Sequence, residues 1–357
     1  MKHCPQAVAG AILLLACSAS NALTFNFTFI AGTSAEAIQG YNAAAQRWSS
    51  LFTDDVTIDM TVGTASLGAG ILASTGSRRV SHSYANFYTA LSGDQTSASD
   101  NTAVSNLTVG SSFGVLINRT SDNPNGAGSA TPYVDNAGAN NQTINLTTAN
   151  AKALGLATGT GTVGNCTSTC DASITFSNTF AFDFNPNDGI TAGQYDFVGI
   201  AAHEIGHSLG FISGVDILDI NSPPVNGPFS ANQFTFVNSL DLFRYSAQSF
   251  ANGVIDFTAN TADKYFSIDG GVTAGPGFST GRNFGDGRQA SHWKDDLGIG
   301  IMDPTADTGE ALGVSANDLL AFDVIGWNVA AVPEPSTWAL FGLGLAGIGA
   351  LRRRRVQ

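Results

Sequence analysis

Basic residues are scarce in this chain of 357 residues, which has 15 Lys plus Arg against 28 Asp plus Glu and a formal net charge of −13. Lys2 and the run from Arg352 to Arg355 lie at the two ends, so the interior keeps 10 basic residues against 27 acidic ones once Glu334 is also set aside. An acidic protein repels phosphate backbones and anionic lipid surfaces. The charge balance therefore argues against nucleic acid as a partner and favours a neutral or cationic polypeptide.

Charged residues of both signs make up only 12% of the chain, whereas 41 residues are glycine and long stretches consist of Ser, Thr, Asn and Ala. This composition is typical of a loop-rich extracellular protein rather than a cytosolic enzyme. The hydrophobic fraction of 43% allows a sizeable core in one large domain or in two closely packed lobes.

Cysteine is also scarce, with four in the chain. Two lie in residues 1–22, where a positive start, an apolar run and a small-residue cleavage site ending at Ala22 are typical of a signal peptide. A lipid anchor at Cys17 is less favoured, because the residues before it fit a lipoprotein box poorly. In an oxidising compartment, the remaining Cys166 and Cys170 are expected to form a small disulfide loop rather than two free thiols.

The C-terminal residues 333–357 combine Pro-Glu-Pro, an apolar run over 338–351 and four consecutive arginines. The apolar run is shorter than the roughly 20 residues that a helix needs to cross a bilayer, and the arginines mark the cytoplasmic side. The segment resembles the PEP-CTERM sorting tail of Gram-negative bacteria. That resemblance implies transient membrane anchoring through 338–351, processing by an exosortase-type enzyme, and export to the cell surface or beyond. An ordinary membrane anchor would leave Pro-Glu-Pro unexplained.

Histidine is so scarce that each one is informative, and two of them stand in the H-E-x-x-H pattern His-Glu-Ile-Gly-His. Positions i and i+4 share a helix face, so His203 and His207 can reach one cation while Glu204 points beside it. Neutral imidazoles suit Zn²⁺, and a nearby carboxylate can take a proton from an attacking water. The pattern predicts a zinc hydrolase with Glu204 as its general base.

The alternative is a chance histidine pair on a solvated helix face. Apolar residues at Phe197, Ile200 and Ala201 have helical spacing, and Gly210 can take the left-handed conformation that ends a helix. The pattern is therefore expected on a buried helix that ends at Gly210.

A third ligand is predicted from His292, which stands in Ser-His-Trp ten residues before Met302. H-E-x-x-H-x-x-G-F, a long insertion, S-H-W and a methionine turn together resemble the leishmanolysin-like branch of the metzincin peptidases. The zinc ligands that this resemblance implies are His203, His207 and His292. It also implies Glu204 as the general base and Met302 as the residue beneath the metal.

Two departures from the family pattern matter. Asp216 follows His207 by nine residues and is a rival for the third ligand, since carboxylates also bind zinc. No tyrosine closely follows Met302 that could support an oxyanion. His82 is expected to be an ordinary surface or packing histidine.

The expected fold class is α+β: a metzincin-like, two-lobed metallopeptidase with a twisted mixed sheet, a zinc-binding helix and a mainly helical or irregular C-terminal lobe. This domain is assigned to 23–332, with 215–289 as the insertion between the ligand segments. Residues 92–165 are expected to form long loops and short strands.

Local patterns predict several elements of this fold. They are a helix over 34–51 capped by Ser34, strands over 56–62 and 173–177, an Asx turn rather than a calcium loop at 183–189, core residues Leu240, Leu242 and Phe243, and a closing helix from Ser315 to Gly326.

The function expected from these patterns is that of an exported zinc endopeptidase. One alternative is a surface or matrix protein that keeps the fold without cleaving. The presence of Glu204 argues against it, because a structural metal site needs no general base. The other is a zinc hydrolase of a non-peptide amide or ester.

Overall fold

The computed structural model describes residues 23–167, 169–222 and 229–330. The strands are β1 Thr24–Phe29, β2 Thr57–Ala65, β3 Ala73–Ser77, β4 Arg79–Ser83, β5 Val115–Ile117, β6 Tyr133–Asp135, β7 Thr143–Thr147, β8 Ala172–Ser177, β9 Phe182–Asp183, β10 Tyr195–Asp196, β11 Arg244–Tyr245, β12 Ile255–Phe257, β13 Lys264–Phe266 and β14 Gly277–Phe278. The helices are α1 Ala35–Ser49, α2 Tyr84–Gly93, α3 Ala98–Asn106, α4 Thr148–Ala153, α5 Phe197–Leu209, α6 Val215–Asn221, α7 Ala247–Ala251 and α8 Ala316–Asp323. The chain is therefore a mixed α+β protein. The signal-peptide and tail predictions fall outside the described residues.

The largest sheet has the strand order β1-β2-β8-β3. Its first three strands are parallel, and β3 is an antiparallel edge strand. Met60, Val62 and Ile174 alternate with more polar residues and are buried, which is why β2 and β8 follow the predicted period of two. The prediction of both strands and of a mixed sheet is confirmed.

Helix α1 begins after Ser34, whose hydroxyl accepts a hydrogen bond from the Ala37 N–H as predicted. The predicted stripe from Ala37 through Tyr41 to Trp48 is buried. Its aromatic residues connect two layers, because the Tyr41 hydroxyl bonds the Gly63 carbonyl of β2 and the Trp48 indole bonds the Ala202 carbonyl of α5. Helix α1 thereby fixes α5 against the sheet.

The region 92–165 was predicted to form only long loops and short strands, and this prediction is incomplete. It contains helices α3 and α4 as well as β5, β6 and β7. Helix α3 shows no clear helical spacing of apolar residues, because few of its residues are buried. Its N-terminus is stabilised by a capping box between Ser97 and Asp100. Helix α2, over 84–93, was also not predicted.

The segment after α5 contains more strand than expected. Strands β11, β13 and β14 form a small antiparallel sheet, and β12 pairs with β5 from the N-terminal half. The predicted core residues of this segment, Leu240, Leu242 and Phe243, are buried in the continuous hydrophobic cluster of the protein. The expectation of a mainly helical or irregular C-terminal part is thus incomplete.

The remaining local predictions can be checked directly. Cys166 and Cys170 form the expected disulfide. Asp183 Oδ1 accepts the Asn185 N–H at 2.9 Å, which is an Asx turn. Helix α8 begins after Ser315 but ends three residues before Gly326. Within the described residues no helix is long and apolar enough to cross a membrane, and the segment 338–351 lies outside them.

Candidate metal centre

Helix α5 carries the H-E-x-x-H pattern on a buried helix, as predicted. Asp196 caps its first turn by accepting the Gly199 N–H at 2.8 Å, and its second oxygen accepts the Leu312 N–H. The helix ends at Leu209, and Gly210 follows with a φ of +124°. Both ends of the helix are therefore fixed.

The three histidines of the prediction lie together. Nε2 of His207 lies 3.0 Å from Nε2 of His203 and 3.1 Å from Nε2 of His292. Each offers one ligand atom, and these atoms all lie within 4.8 Å of one another. Within 23–167, 169–222 and 229–330, this is the one group of three or more His, Cys, Asp or Glu compact enough to hold a metal ion.

The opposite ring nitrogen of each histidine faces a backbone carbonyl. Nδ1 lies 2.7 Å from the Ile301 oxygen in His203, 2.7 Å from the Phe211 oxygen in His207, and 3.2 Å from the Gln289 oxygen in His292. A carbonyl only accepts hydrogen bonds, so each Nδ1 carries the proton. In a neutral ring, Nε2 then presents a bare lone pair.

Burial favours the neutral form of His207 and His292. It lowers the pKa of His292 to about 3. Burial is also the main reason why the pKa of His207 lies well below its usual range, and the neighbouring His203, His292 and Arg79 lower it further. Three lone pairs that converge without a proton repel one another, and a cation among them removes that repulsion.

The donor set fits zinc. Nitrogens held at about 2.0–2.1 Å from a tetrahedral Zn²⁺ lie about 3.3–3.4 Å apart. The observed separations of 3.0 and 3.1 Å need only a small outward movement to reach that geometry. Three ligands also leave a fourth position for water, as in catalytic zinc sites.

Glu204 lies beside this group on the same helix and is only 7% exposed. Burial raises the pKa of its carboxyl, and the neighbouring His203 and Thr75 partly offset that rise. A carboxylate held in such surroundings is a stronger base than one in water.

Asp216, the rival third ligand, does not belong to the histidine group. Its carboxylate accepts the Ala290 N–H at 2.6 Å and the Ser291 N–H at 3.1 Å, and it also bonds the Ser291 hydroxyl. Burial raises the pKa of Asp216 to about 6. Asp216 thus holds the backbone immediately before His292, a positioning role that nothing in the local sequence indicated.

Met302 is fully buried against α5. A Cβ added at Gly206 would lie 2.5 Å from the Met302 sulfur, so the close approach of the two segments requires glycine there. The surrounding segment is held by Asp318, which accepts bonds from the Trp293 indole and the Ile301 N–H, both at 2.8 Å. Sequence reasoning missed Asp318, although the spacing of Ser315 and Asp318 is that of a capping box.

His82 stands apart from the metal centre. It lies in β4, and its Nε2 is 2.9 Å from the Ala157 carbonyl oxygen. It does not belong to the histidine group, in keeping with its prediction as a packing or surface residue.

The C-terminal residues 331–355 match the PEP-CTERM protein-sorting motif, which confirms the interpretation of the tail. The motif indicates export through an exosortase system and recognition by an exosortase-type processing enzyme. The match does not extend to the histidines or to any other residue of the metal centre. Comparisons with curated proteins and with solved structures find no match to this chain.

Proposed function

We propose that this chain is an exported zinc-dependent endopeptidase of the metzincin type, with His203, His207 and His292 as ligands and Glu204 as general base. The observation that carries the proposal is the convergence of three bare Nε2 atoms beside a buried carboxylate. Structural zinc sites use four protein ligands, whereas this group has three and a candidate base.

Each group of the site has a distinct role in the proposed hydrolysis. Zinc bound by the three imidazoles would polarise the substrate carbonyl and bring the pKa of an attacking water to about 7. Glu204 accepts the proton of that water and then delivers it to the departing amine. The carbonyls of Ile301, Phe211 and Gln289 hold the ring orientation and the tautomer of the ligands.

The position of β3 supports a polypeptide as the substrate. It is one of the two edge strands of the main sheet, and no strand of the described residues pairs with its outer side. The Thr75 hydroxyl donates a 3.1 Å hydrogen bond to the Glu204 carbonyl, which places β3 beside the helix turn that carries the base. An extended polypeptide can add to such an edge through backbone hydrogen bonds.

The metzincin-type arrangement is part of the proposal. It is supported by the order of the ligand segments, by Met302 beneath α5 and by the carbonyl of Ile301 that orients His203. In this arrangement, the main sheet and α5 bound one side of the cleft and the segment from His292 to Met302 bounds the other.

The substrate class separates the proposal from its alternatives. We expect the mature protein to contain about one zinc per chain and to cleave casein at internal peptide bonds. Cleavage of amide or ester model compounds without casein cleavage would favour a non-peptide hydrolase. Bound zinc without any hydrolysis would favour a non-cleaving surface or matrix protein.

Processing of the tail is a further part of the proposal. If an exosortase removes the sorting motif, the extracellular form should lack everything from about Pro333 onward. Intact-mass spectrometry of the protein collected outside the cell measures this directly. An extracellular form that still carries Arg352 to Arg355 would contradict processing and favour a retained membrane anchor.

A further inference from the structure

The segment that carries His292 is joined to the small sheet formed by β11, β13 and β14. The Ser279 N–H, just after β14, donates to the His292 carbonyl at 3.0 Å. The Ser279 hydroxyl donates to the Trp293 carbonyl at 2.8 Å, and Phe278 forms an antiparallel bridge with Trp293. Residues 292–293 therefore lie along the outer side of β14, and the backbone of His292 is held by this sheet.

Arg244 reaches this segment from the opposite edge of the sheet. It lies in β11 and is only 1% exposed. Its Nη2 donates to the Ser279 carbonyl at 2.7 Å, and its Nη1 donates to the Ala290 carbonyl at 3.4 Å. The guanidinium carbon lies 5.0 Å from the centre of the Phe278 ring. One side chain thus connects the residue that holds the His292 carbonyl with the residue two positions before His292.

Both carbonyls that Arg244 bonds belong to buried residues, since Ser279 and Ala290 have almost no exposed surface. A buried carbonyl that loses its donor also lacks water as a replacement, so its position is no longer favoured. The guanidinium is a planar fork with donors at fixed directions, whereas the ammonium of lysine is a single point of charge. Only arginine can therefore bond these two carbonyls at once.

Asp216 holds the same stretch of backbone through N–H groups. Its carboxylate accepts the Ala290 N–H at 2.6 Å. The carbonyl of the same peptide group, that of Gln289, lies 3.2 Å from Nδ1 of His292. The next carbonyl along the chain is the one that Arg244 bonds. The backbone that leads into His292 is thus fixed by a carboxylate on its N–H groups and by a guanidinium on a carbonyl.

We propose that Arg244 is a positioning residue for the third metal ligand, holding the backbone around His292 so that its Nε2 meets the other two imidazoles. This rests on the metal centre of the proposed function and deepens it. Arg244, Asp216 and Ser279 all lie within residues 215–289, the insertion that separates His292 from α5 along the chain. The insertion is thereby the support that returns His292 to α5.

Replacement of Arg244 by Met removes both donors and keeps a long apolar side chain. We expect the zinc dissociation constant of Arg244→Met to rise about 100-fold, and that of Arg244→Lys, which can bond one carbonyl, to rise about tenfold. Competition with a chromophoric chelator measures both values. Urea unfolding of the metal-free proteins measures the effect on stability separately.

Arg78→Met is the matched control. Arg78 is also a buried arginine that donates to backbone carbonyls, but its partners are Cys170, Thr158 and Gly159, which lie outside the segments that carry the histidines. This variant should keep the wild-type zinc affinity even where its metal-free form is less stable.

A second measurement shows whether the effect passes through His292. In the His292→Ala background, Arg244→Met should weaken zinc binding no further, because the ligand that it positions is already absent. The visible absorption spectrum of the Co²⁺-loaded protein reports the coordination of the ion. With Arg244→Met this spectrum should shift from that of the wild-type protein toward that of His292→Ala, and with Arg78→Met it should not change.

Wild-type zinc affinity in folded Arg244→Met would overturn this inference. An equal loss of affinity in the wild-type and His292→Ala backgrounds would also overturn it, since the effect would then not depend on His292. If Arg244→Met does not fold, Arg244→Lys decides: weaker zinc binding upholds the role, and unchanged binding overturns it.

Metal binding also separates this inference from the endopeptidase. Zinc affinity that depends on Arg244, in a protein that does not cleave casein, would uphold the positioning role and overturn the endopeptidase. Zinc-dependent casein cleavage with no effect of Arg244 on zinc affinity would overturn the positioning role alone.

Discussion

Replacement of Glu204 by Gln should leave about one zinc per chain and reduce casein cleavage by roughly two to four orders of magnitude. The amide has nearly the shape of the carboxyl, and the three ligands keep their carbonyl partners. What is lost is the group that takes the proton from water. Zinc content by elemental analysis and the rate of casein cleavage measure the two effects separately.

Glu310→Gln is the matched control, since it makes the same chemical change at an exposed loop position. It should retain both zinc and activity. Undiminished cleavage by purified Glu204→Gln would remove Glu204 from the mechanism, whereas a loss of zinc from that variant would show that the residue supports the ligands instead.

Replacement of His292 by Ala should lower bound zinc far below one per chain and abolish casein cleavage. The side chain supplies one of three converging nitrogens, and only His203 and His207 would remain. With two histidines, the ion would lack one of the three protein ligands that a catalytic zinc site uses. Equilibrium dialysis with zinc and the casein assay provide the measurements.

Asp216→Ala should have a smaller effect of another kind. It leaves the N–H groups of Ala290 and Ser291 without their buried acceptor, so the segment before His292 loses its support. Loss of an outer partner of a ligand typically reduces metal affinity about 10- to 100-fold. We therefore expect Asp216→Ala to retain activity at high zinc concentration.

His82→Ala is the matched control for His292→Ala, because it removes a histidine outside the group. It should keep zinc and activity. If His292→Ala held stoichiometric zinc and cleaved casein while Asp216→Ala did neither, the third ligand would be Asp216.

The sequence predicted the parts of the site that depend on local spacing. The four-residue spacing places His203 and His207 on one helix face, and the apolar residues before them predict that this helix is buried. The proximity of His292 was inferred from a resemblance, since 85 positions separate it from His207. Its position beside His207 is consistent with that inference.

The supports of the site could not be predicted, because they are contacts between distant parts of the chain. Asp216 holds a segment 74 residues away, and Asp318 bonds the Trp293 indole 25 residues before it. The sequence around an aspartate does not indicate which distant backbone or side-chain group its carboxylate will bond.

The elements of the fold that were predicted also differ from those that were missed in how far they depend on local sequence. Helix α1 and strands β2 and β8 were predicted because each has one buried face and therefore a clear period. Helix α3 was missed because it buries few residues and is polar along most of its length. Short strands such as β12 depend on a distant partner, here β5, and carry too few residues for a period to be recognised.

The most direct test of the central claim is a zinc titration of casein cleavage by the mature protein after its metal has been removed with a chelator. We predict that cleavage is lost on removal, returns in proportion to added zinc, and stops rising at about one zinc per chain, as expected for a single ion held by His203, His207 and His292. Casein cleavage that persists in the fully metal-free protein, or its absence at full zinc occupancy, would contradict the account.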